Sequence, residues 1–328
     1  MLRREFVISG IAAAAVGRLG MSRGYAQGTY PAGPIKLVVP FAAGGVVDAV
    51  ARHFSEKMIA LVGSFVVENQ GGAGGLVGAG AVKRAPPDGQ TLLFGDTSSL
   101  TIAPNLKDSP PYDALTDFVP ISMLATSSTS VVVHPSVPAN SFPEFIEYAR
   151  KNQGKLSYGS AGVGTVTHLA GESFKQRAGI SELNHVPYRG AGPALNDVIA
   201  GMVPVATPNV TVQVLDLHRA GKIRILAVLA PQRLAAAPEI PTAGETLPNL
   251  VVRLTCGLIA PAKTPAAIVS KLEAAAAKVL ADPDFVSVLT VSGLEAWKEP
   301  GSANARNFLA LEREQLLPII KAAGLTAS

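Results

Sequence analysis

Ser160-Ala-Gly-Val-Gly-Thr-Val-Thr-His168 runs straight into Leu169-Ala-Gly-Glu172. The stretch reads as a glycine-rich loop opening a helix, with small hydroxyl residues spaced through it. Exposed backbone N–H groups at a helix start, reinforced by the helix dipole, form a ready site for an anion. Val38-Val-Pro-Phe-Ala-Ala-Gly-Gly-Val-Val-Asp48 has the same character: an apolar run ends at Pro40, two glycines follow and an amphipathic helix begins. These two strand-to-helix cradles are more than a hundred residues apart, which suggests a small acid clamped between two lobes.

The chain between and beyond them alternates strand with helix. Ile35-Lys-Leu-Val-Val39, Phe65-Val-Val-Glu68 and Thr91-Leu-Leu-Phe94 read as buried strands. Val46, Val50, Phe54, Met58 and Leu61 recur on one helix face, and Gly71 to Gly80 reads as a turn into a helix of small residues. In the middle of the chain, Ser141 to Glu144 forms a capping box with Pro143 in the first turn. Strands at 156–160, 184–188 and 203–206 then alternate with helices at 166–176 and 194–201. Later helices are expected from Thr264-Pro265 to Leu280 and from Ala303 to Ala323, the last kinked or broken at Pro318. Alternation of this kind argues for an α/β protein with largely parallel sheets covered on both faces. Two long apolar stretches, Ile121–His134 and Leu250–Ala260, are placed to cross between lobes.

At 328 residues and 48% hydrophobic content, the chain can bury a sizeable core in two lobes. Residues 1–26 read as an export signal, with Arg3-Arg4, an apolar run from Phe6 to Val16, and Gly24-Tyr25-Ala26 at the cleavage positions. Arg3-Arg4-Glu5-Phe6 also resembles a twin-arginine signal. The formal net charge is +4, but without the leader 24 basic and 23 acidic side chains remain. A near-neutral remainder without Lys/Arg clusters argues against nucleic acid as a partner. The lone Cys256 cannot form an internal disulfide, so packing must supply the stability.

The chain resembles the solute-binding proteins of tripartite tricarboxylate transporters, often called the Bug family. The landmarks are Val39 to Asp48, Tyr112-Asp-Ala-Leu-Thr-Asp-Phe118, Tyr158 to Thr165, Thr167-His-Leu-Ala-Gly-Glu172 and His185-Val-Pro-Tyr-Arg-Gly190. Ala194 to Gly201, Ala220-Gly-Lys-Ile-Arg224 and Leu258-Ile-Ala-Pro261 add to them in the same order. The resemblance implies a type II-like periplasmic-binding-protein fold, with two doubly wound sheets joined by crossover strands around a central cleft. The expected division is 1–26 export signal, 27–128 with 253–328 as a discontinuous domain I, and 129–252 as domain II. It also implies a monomeric periplasmic receptor that closes on an organic acid (a di- or tricarboxylate or an aromatic acid) and delivers it to membrane permease subunits.

Carried onto this sequence, the resemblance gives Pro40, Phe41, Gly44, Gly45 and Asp48 from the first loop. The second loop gives Ser160, Gly162, Gly164, Thr165 and His168, and the third gives Thr97 and Ser98. Tyr188, Pro208 and Asn209 complete the expected site. Neither main loop holds Lys or Arg, so capture would rest on helix starts and hydroxyls. Pro208 stands where amino-acid-binding relatives could place an acidic residue, which favours an unaminated acid. Thr255-Cys256 replaces a more usual aromatic pair.

Each of these residues also has a structural reading. Asp48 suits a capping role in a first helical turn, His168 suits a satisfied core histidine, and Arg189 suits a surface ion pair. Enzyme signatures fail. Tyr158 stands where a Gly-x-Ser-x-Gly elbow needs glycine, and Gly71 to Gly80 never reads Gly-x-Gly-x-x-Gly. No metal, cofactor or catalytic residue is expected. The alternatives are a periplasmic hydrolase or isomerase, with Ser160 and His168 as a spatial pair, and a receptor that signals to a membrane sensor kinase.

Overall fold

Strands β1 (Ile35–Val39), β2 (Phe65–Asn69) and β3 (Thr91–Asp96) pair in parallel, with β1 in the centre. Ile35, Leu37, Val38 and Val39 are buried, as a strand covered on both faces requires. Helix α1 (Val46–Met58) lays Val47, Val50, Phe54 and Met58 into this core, its Phe54 ring 6.0 Å from that of Phe94. Helix α2 (Leu76–Lys83) packs so tightly on the ends of β1 and β2 that a Cβ on Gly78 would lie 2.9 Å from Pro40 Cα and 2.8 Å from the Gln70 carbonyl oxygen. The computed structural model describes residues 30–106 and 109–325, so the expected export signal lies outside the described residues.

Strand β4 (Phe118–Ser128) leads into β5 (Ser130–Val133) across Thr129 alone, and the two belong to different sheets. The first sheet has the order β11-β4-β10-β3-β1-β2, with β10 (Arg253–Pro261) and β11 (Leu294–Ala296) in its antiparallel half. The second has the order β7-β6-β8-β5-β9, formed from β6 (Ser157–Ser160), β7 (Asn184–Pro187), β8 (Val205–Ala206) and β9 (Arg224–Val228). In it β6 runs parallel to β7 and β8, while β5 is antiparallel to β8 and β9. Both sheets are therefore mixed, not largely parallel. The returning strands β5 and β10 enter against the direction of their neighbours.

Both long apolar stretches lie at this crossing. Thr129 N–H donates to the Val252 carbonyl, Leu229 N–H to that of Thr129, and Val252 N–H to that of Leu229. Ser130 and Val210 N–H donate to the carbonyls of Pro208 and Ser128, which laces residues 208–210 into the same waist. The Thr255-Cys256 pair is packing: Thr255 Oγ1 lies 3.1 Å from Thr126 Oγ1, and Cys256 is buried in β10.

Helix α3 (Phe142–Lys151) starts as its capping residues predict, with Ser141 Oγ accepting from Glu144 N–H. The return bond of Glu144 reaches Asn140 N–H instead of the cap residue. Helices α4 (Val166–Ala178), α5 (Ala191–Ile199) and α7 (Ala266–Leu280) lie near the expected positions, α5 starting earlier. Helices α6 (Val212–Arg219) and α8 (Pro283–Val291) go beyond the sequence reading, although Thr211 and Asp282 both cap them through side chains. Helix α9 (Ser302–Ala322) runs unbroken through Pro318. The missing N–H of that proline leaves the Glu314 carbonyl without a helical donor, but both residues lie on the exposed face of the helix, where water can reach that carbonyl.

Candidate functional site

The C-terminal ends of the parallel strands β1 and β6 both lead, through glycine turns, into helices that start at one cavity of about 290 Å³. Gly44, Gly45, Val46 and Val47 bring the start of α1 to it, and Thr165, Val166 and Thr167 the start of α4. A third helix start, Gly190 to Pro193 at α5, closes the wall. First-turn amides have no carbonyl within their own helix to reach; at α4 two of them are already taken, Val166 N–H by Ser98 Oγ and His168 N–H by Thr165 Oγ1, but the positive ends of all three dipoles meet at this space. No Lys, Arg or His lines the cavity among the described residues.

One side chain in this wall stands out. Asn209 is only 7% exposed, and its Nδ2 has no hydrogen-bond partner among the described residues. A buried amide left unpaired costs about 1–3 kcal/mol, so its position in a cavity wall marks a place for an acceptor.

The expected site residues divide into two groups. Phe41, Gly44, Gly45, Ser98, Thr165 and Asn209 line the cavity. Pro40, Asp48, Thr97, Ser160, Gly162, Gly164, His168, Tyr188 and Pro208 lie behind it and hold the wall in shape. Asp48 accepts from Gly44 N–H at 2.9 Å and also binds Arg52 and Asn69. Burial works to raise its pKa, but hydrogen bonds from Arg52, Gly44 and Asn69 outweigh it, and the carboxyl titrates below its ordinary range. Tyr188 donates to Asp197, and the Pro208 carbonyl takes both donors of Ser130. Gly164 has φ +80, and a Cβ there would sit 3.3 Å from that of Ala103 on the facing lobe. The lobes also meet where Val166 N–H donates to Ser98 Oγ at 3.0 Å.

Ser160 does not pair with His168. Its Oγ lies 2.6 Å from His185 Nε2, and the His185 ring stacks on His168 with centroids 3.9 Å apart. Burial holds both imidazoles down to about 4, with Lys175 adding to the shift of His168 and the neighbouring His168 to that of His185. Both rings are neutral near pH 7. Glu172 accepts from Tyr158 Oη and pairs with Lys175, so it is fully engaged within its own lobe.

Cavity residues that sequence reasoning missed include Asp96, Gln213, Leu254 and the start of α5, while Ala161 and Thr167 belong to the expected second loop. Gly190-Ala-Gly-Pro193 carries the same small-residue signature as the two expected cradles and could have revealed the third. The hydroxyl of Thr97 is spent elsewhere. Together with Thr101 it bonds Glu312, a buried residue of α9, at 2.7 and 2.6 Å. Burial pushes the Glu312 carboxyl up to about 7, against the pull of the two threonine hydroxyls, and Asp96 adds to the rise.

The folded state therefore holds a proton on Glu312 between the ordinary value of 4.5 and about 7, where the unfolded chain has released it. Stability from the neutral acid is complete below that window and is lost as pH rises through it. Measured by urea denaturation, the stability of the wild type relative to Glu312→Gln should fall by roughly 3 kcal/mol across the window. A pH-independent difference would mean that burial leaves this carboxyl at its ordinary value.

Comparison with known proteins agrees with the geometry. The model of the tripartite tricarboxylate transporter family receptor (TctC) matches residues 50–325. The UPF0065 protein of the tcbD-tcbE intergenic region of Pseudomonas sp. (strain P51) is 39% identical over 295 residues, covering 89% of this chain and 86% of its own. The periplasmic binding protein BugD superposes with a TM-score of 0.85 at 33% identity, over 91% of this chain and 100% of BugD. An R. palustris protein solved with adipate gives 0.86 at 30% identity, over 90% and 99% of the two chains. The chain belongs to the family of periplasmic solute-binding receptors of tripartite tricarboxylate transporters.

Proposed function

We propose that this chain captures a small organic carboxylate between its lobes, without chemical conversion, and delivers it to the membrane permease of a tripartite transporter. The observation that carries the reading is the cavity wall itself. Three helix starts meet at one space that, among the described residues, no cationic side chain lines, and Asn209, whose buried Nδ2 has no partner among them, stands in its wall. An anion held by fixed peptide dipoles is what such a wall favours. The adipate in the R. palustris relative supports the same ligand class. Contacts from both lobes link occupancy to a shift between open and closed forms. In this reading the protein acts as a monomer, and residues 1–26 serve as its export signal.

A hydrolase built on Ser160 and His185 is disfavoured. Ser160 Oγ already accepts from Gly162 N–H at 3.1 Å and lies outside the cavity. No carboxylate orients His185 through a hydrogen bond among the described residues.

A thermal-shift screen of the chain from Gln27 against organic acids and amino acids tests the proposal. Carboxylates that bind only the folded state should raise Tm in proportion to the logarithm of their concentration, with no product formed. A well-folded protein indifferent to every acid would sink the reading, and turnover of any acid would replace it.

A further inference from the structure

We infer that a surface groove docks an extended, apolar segment of a partner protein, which pairs with β11 as an added strand and ends in an acidic side chain. The groove, of about 840 Å³, shares no lining residue with the anion cavity, so docking stands apart from the carboxylate reading. Ala235 and Ala236, in the segment that follows β9, line it from the second sheet's side. Leu280 of α7, Val286 of α8 and Trp297 just past β11 line it from the first.

Strand β11 is the edge of the first sheet, with β4 as its one neighbour among the described residues. Trp297 N–H donates to the Leu124 carbonyl, which fixes the phase of the ladder. Successive residues of an antiparallel strand turn their backbone groups alternately toward the partner and away from it. Glu295, two residues before Trp297 and opposite Thr126, therefore turns toward β4. Leu294 and Ala296 turn their N–H and C=O groups to the open edge, and neither N–H has an acceptor among the described residues. Leu294, Glu295 and Ala296 all line the groove. Alternating donors and acceptors at strand spacing are a template for another strand.

The walls define what that strand carries. Trp297 is held in place, its Nε1 donating to the Glu299 carbonyl and its ring 4.8 Å from that of Phe308. With Leu280 and Val286 it offers apolar surface to incoming side chains. Among the charged lining residues, Arg233 pairs with Glu245 and Glu295 with Arg253. Lys298 has no ion pair among the described residues, and an acidic side chain complements it.

The capped peptide acetyl-Val-Ala-Val-Ala-Val-Asp-amide, titrated into the chain from Gln27 and followed by NMR, tests the inference. At saturation it should slow hydrogen exchange of the Leu294 and Ala296 amides by about tenfold or more. Two versions of the peptide, N-methylated at alternate residues, should differ: one loses its donors to the edge and fails to bind, while the other binds. Ala296→Pro removes an N–H that lies outside the ladder, and should weaken the peptide about tenfold with the fold intact. Lys298→Glu should weaken it about fivefold, and less at high salt.

Equal affinity for the two methylated peptides, unchanged affinity in both variants, or no binding at all overturns the docking assignment. Each of these outcomes leaves the carboxylate receptor standing, because the acid screen reads that property separately.

Discussion

A Gly45→Asp variant is expected to lose carboxylate affinity by about 100-fold or more, roughly 2.7 kcal/mol, while its Tm stays level or rises. Gly45 is the N-cap of α1, with φ −80 and ψ 170, a conformation open to any residue, and no side chain caps the helix. A Cβ there meets only the Ala42 carbonyl oxygen, at 3.8 Å. Aspartate is among the best N-cap residues, so the fold tolerates it. In the cavity the same carboxylate takes the first-turn amides for itself and sets a like charge where the ligand must sit. At about 4 Å, two such charges near a protein surface repel by about 4 kcal/mol before screening. Gly45→Asn separates the two effects: it competes for the amides without the charge, and should cost about tenfold. Calorimetric titration of a bound acid reads the outcome. Wild-type affinity in Gly45→Asp would remove the start of α1 from the site.

Asn209→Leu should separate binding from stability in a way no ordinary core polar residue does. Where a buried amide is structural, removing it leaves its partner stranded and destabilises the fold. Among the described residues, Asn209 Nδ2 has no partner to strand. Replacing it with an apolar side chain of similar volume is expected to leave stability unchanged or raise it by about 1 kcal/mol, as an unpaid desolvation cost disappears. Affinity should fall by about 10- to 100-fold, the loss of one hydrogen bond to a charged acceptor. Chemical denaturation and titration on the same sample read both quantities. A large loss of stability with affinity intact would return Asn209 to the framework of the waist, where it bridges to Thr129.

Much of this architecture is written locally and so could be read from the sequence. Pro40 ends a buried strand, Gly44-Gly45 turns, and Val46 starts an amphipathic helix, all within ten residues. The two crossing stretches were visible as apolar runs, although their antiparallel entry into the sheets depends on partners distant in sequence. Roles set by distant partners were not legible. Nothing near Thr97 announces that Glu312 will take its hydroxyl, and Ser160 and His185, 25 positions apart, give no sign of their pairing. His168 has the composition of a ligand residue, yet its Nδ1 accepts from Gly164 N–H and its ring is buried against His185. Asn209 was legible as a candidate but not as an orphan, because only the packed fold shows which amide finds no partner.

Capture by peptide N–H groups has an evolutionary side. A codon change can delete any side chain, but it cannot delete a main-chain donor unless it introduces proline. Helix α5 already has a proline in its first turn, Pro193 at its third position. The walls around the cradle, from Phe41 to Leu254 and Gln213, are under no such protection. Mutation can therefore redraw the shape of the cargo repeatedly while its acid group remains a fixed requirement, so a lineage can change diet without relearning how to hold an anion.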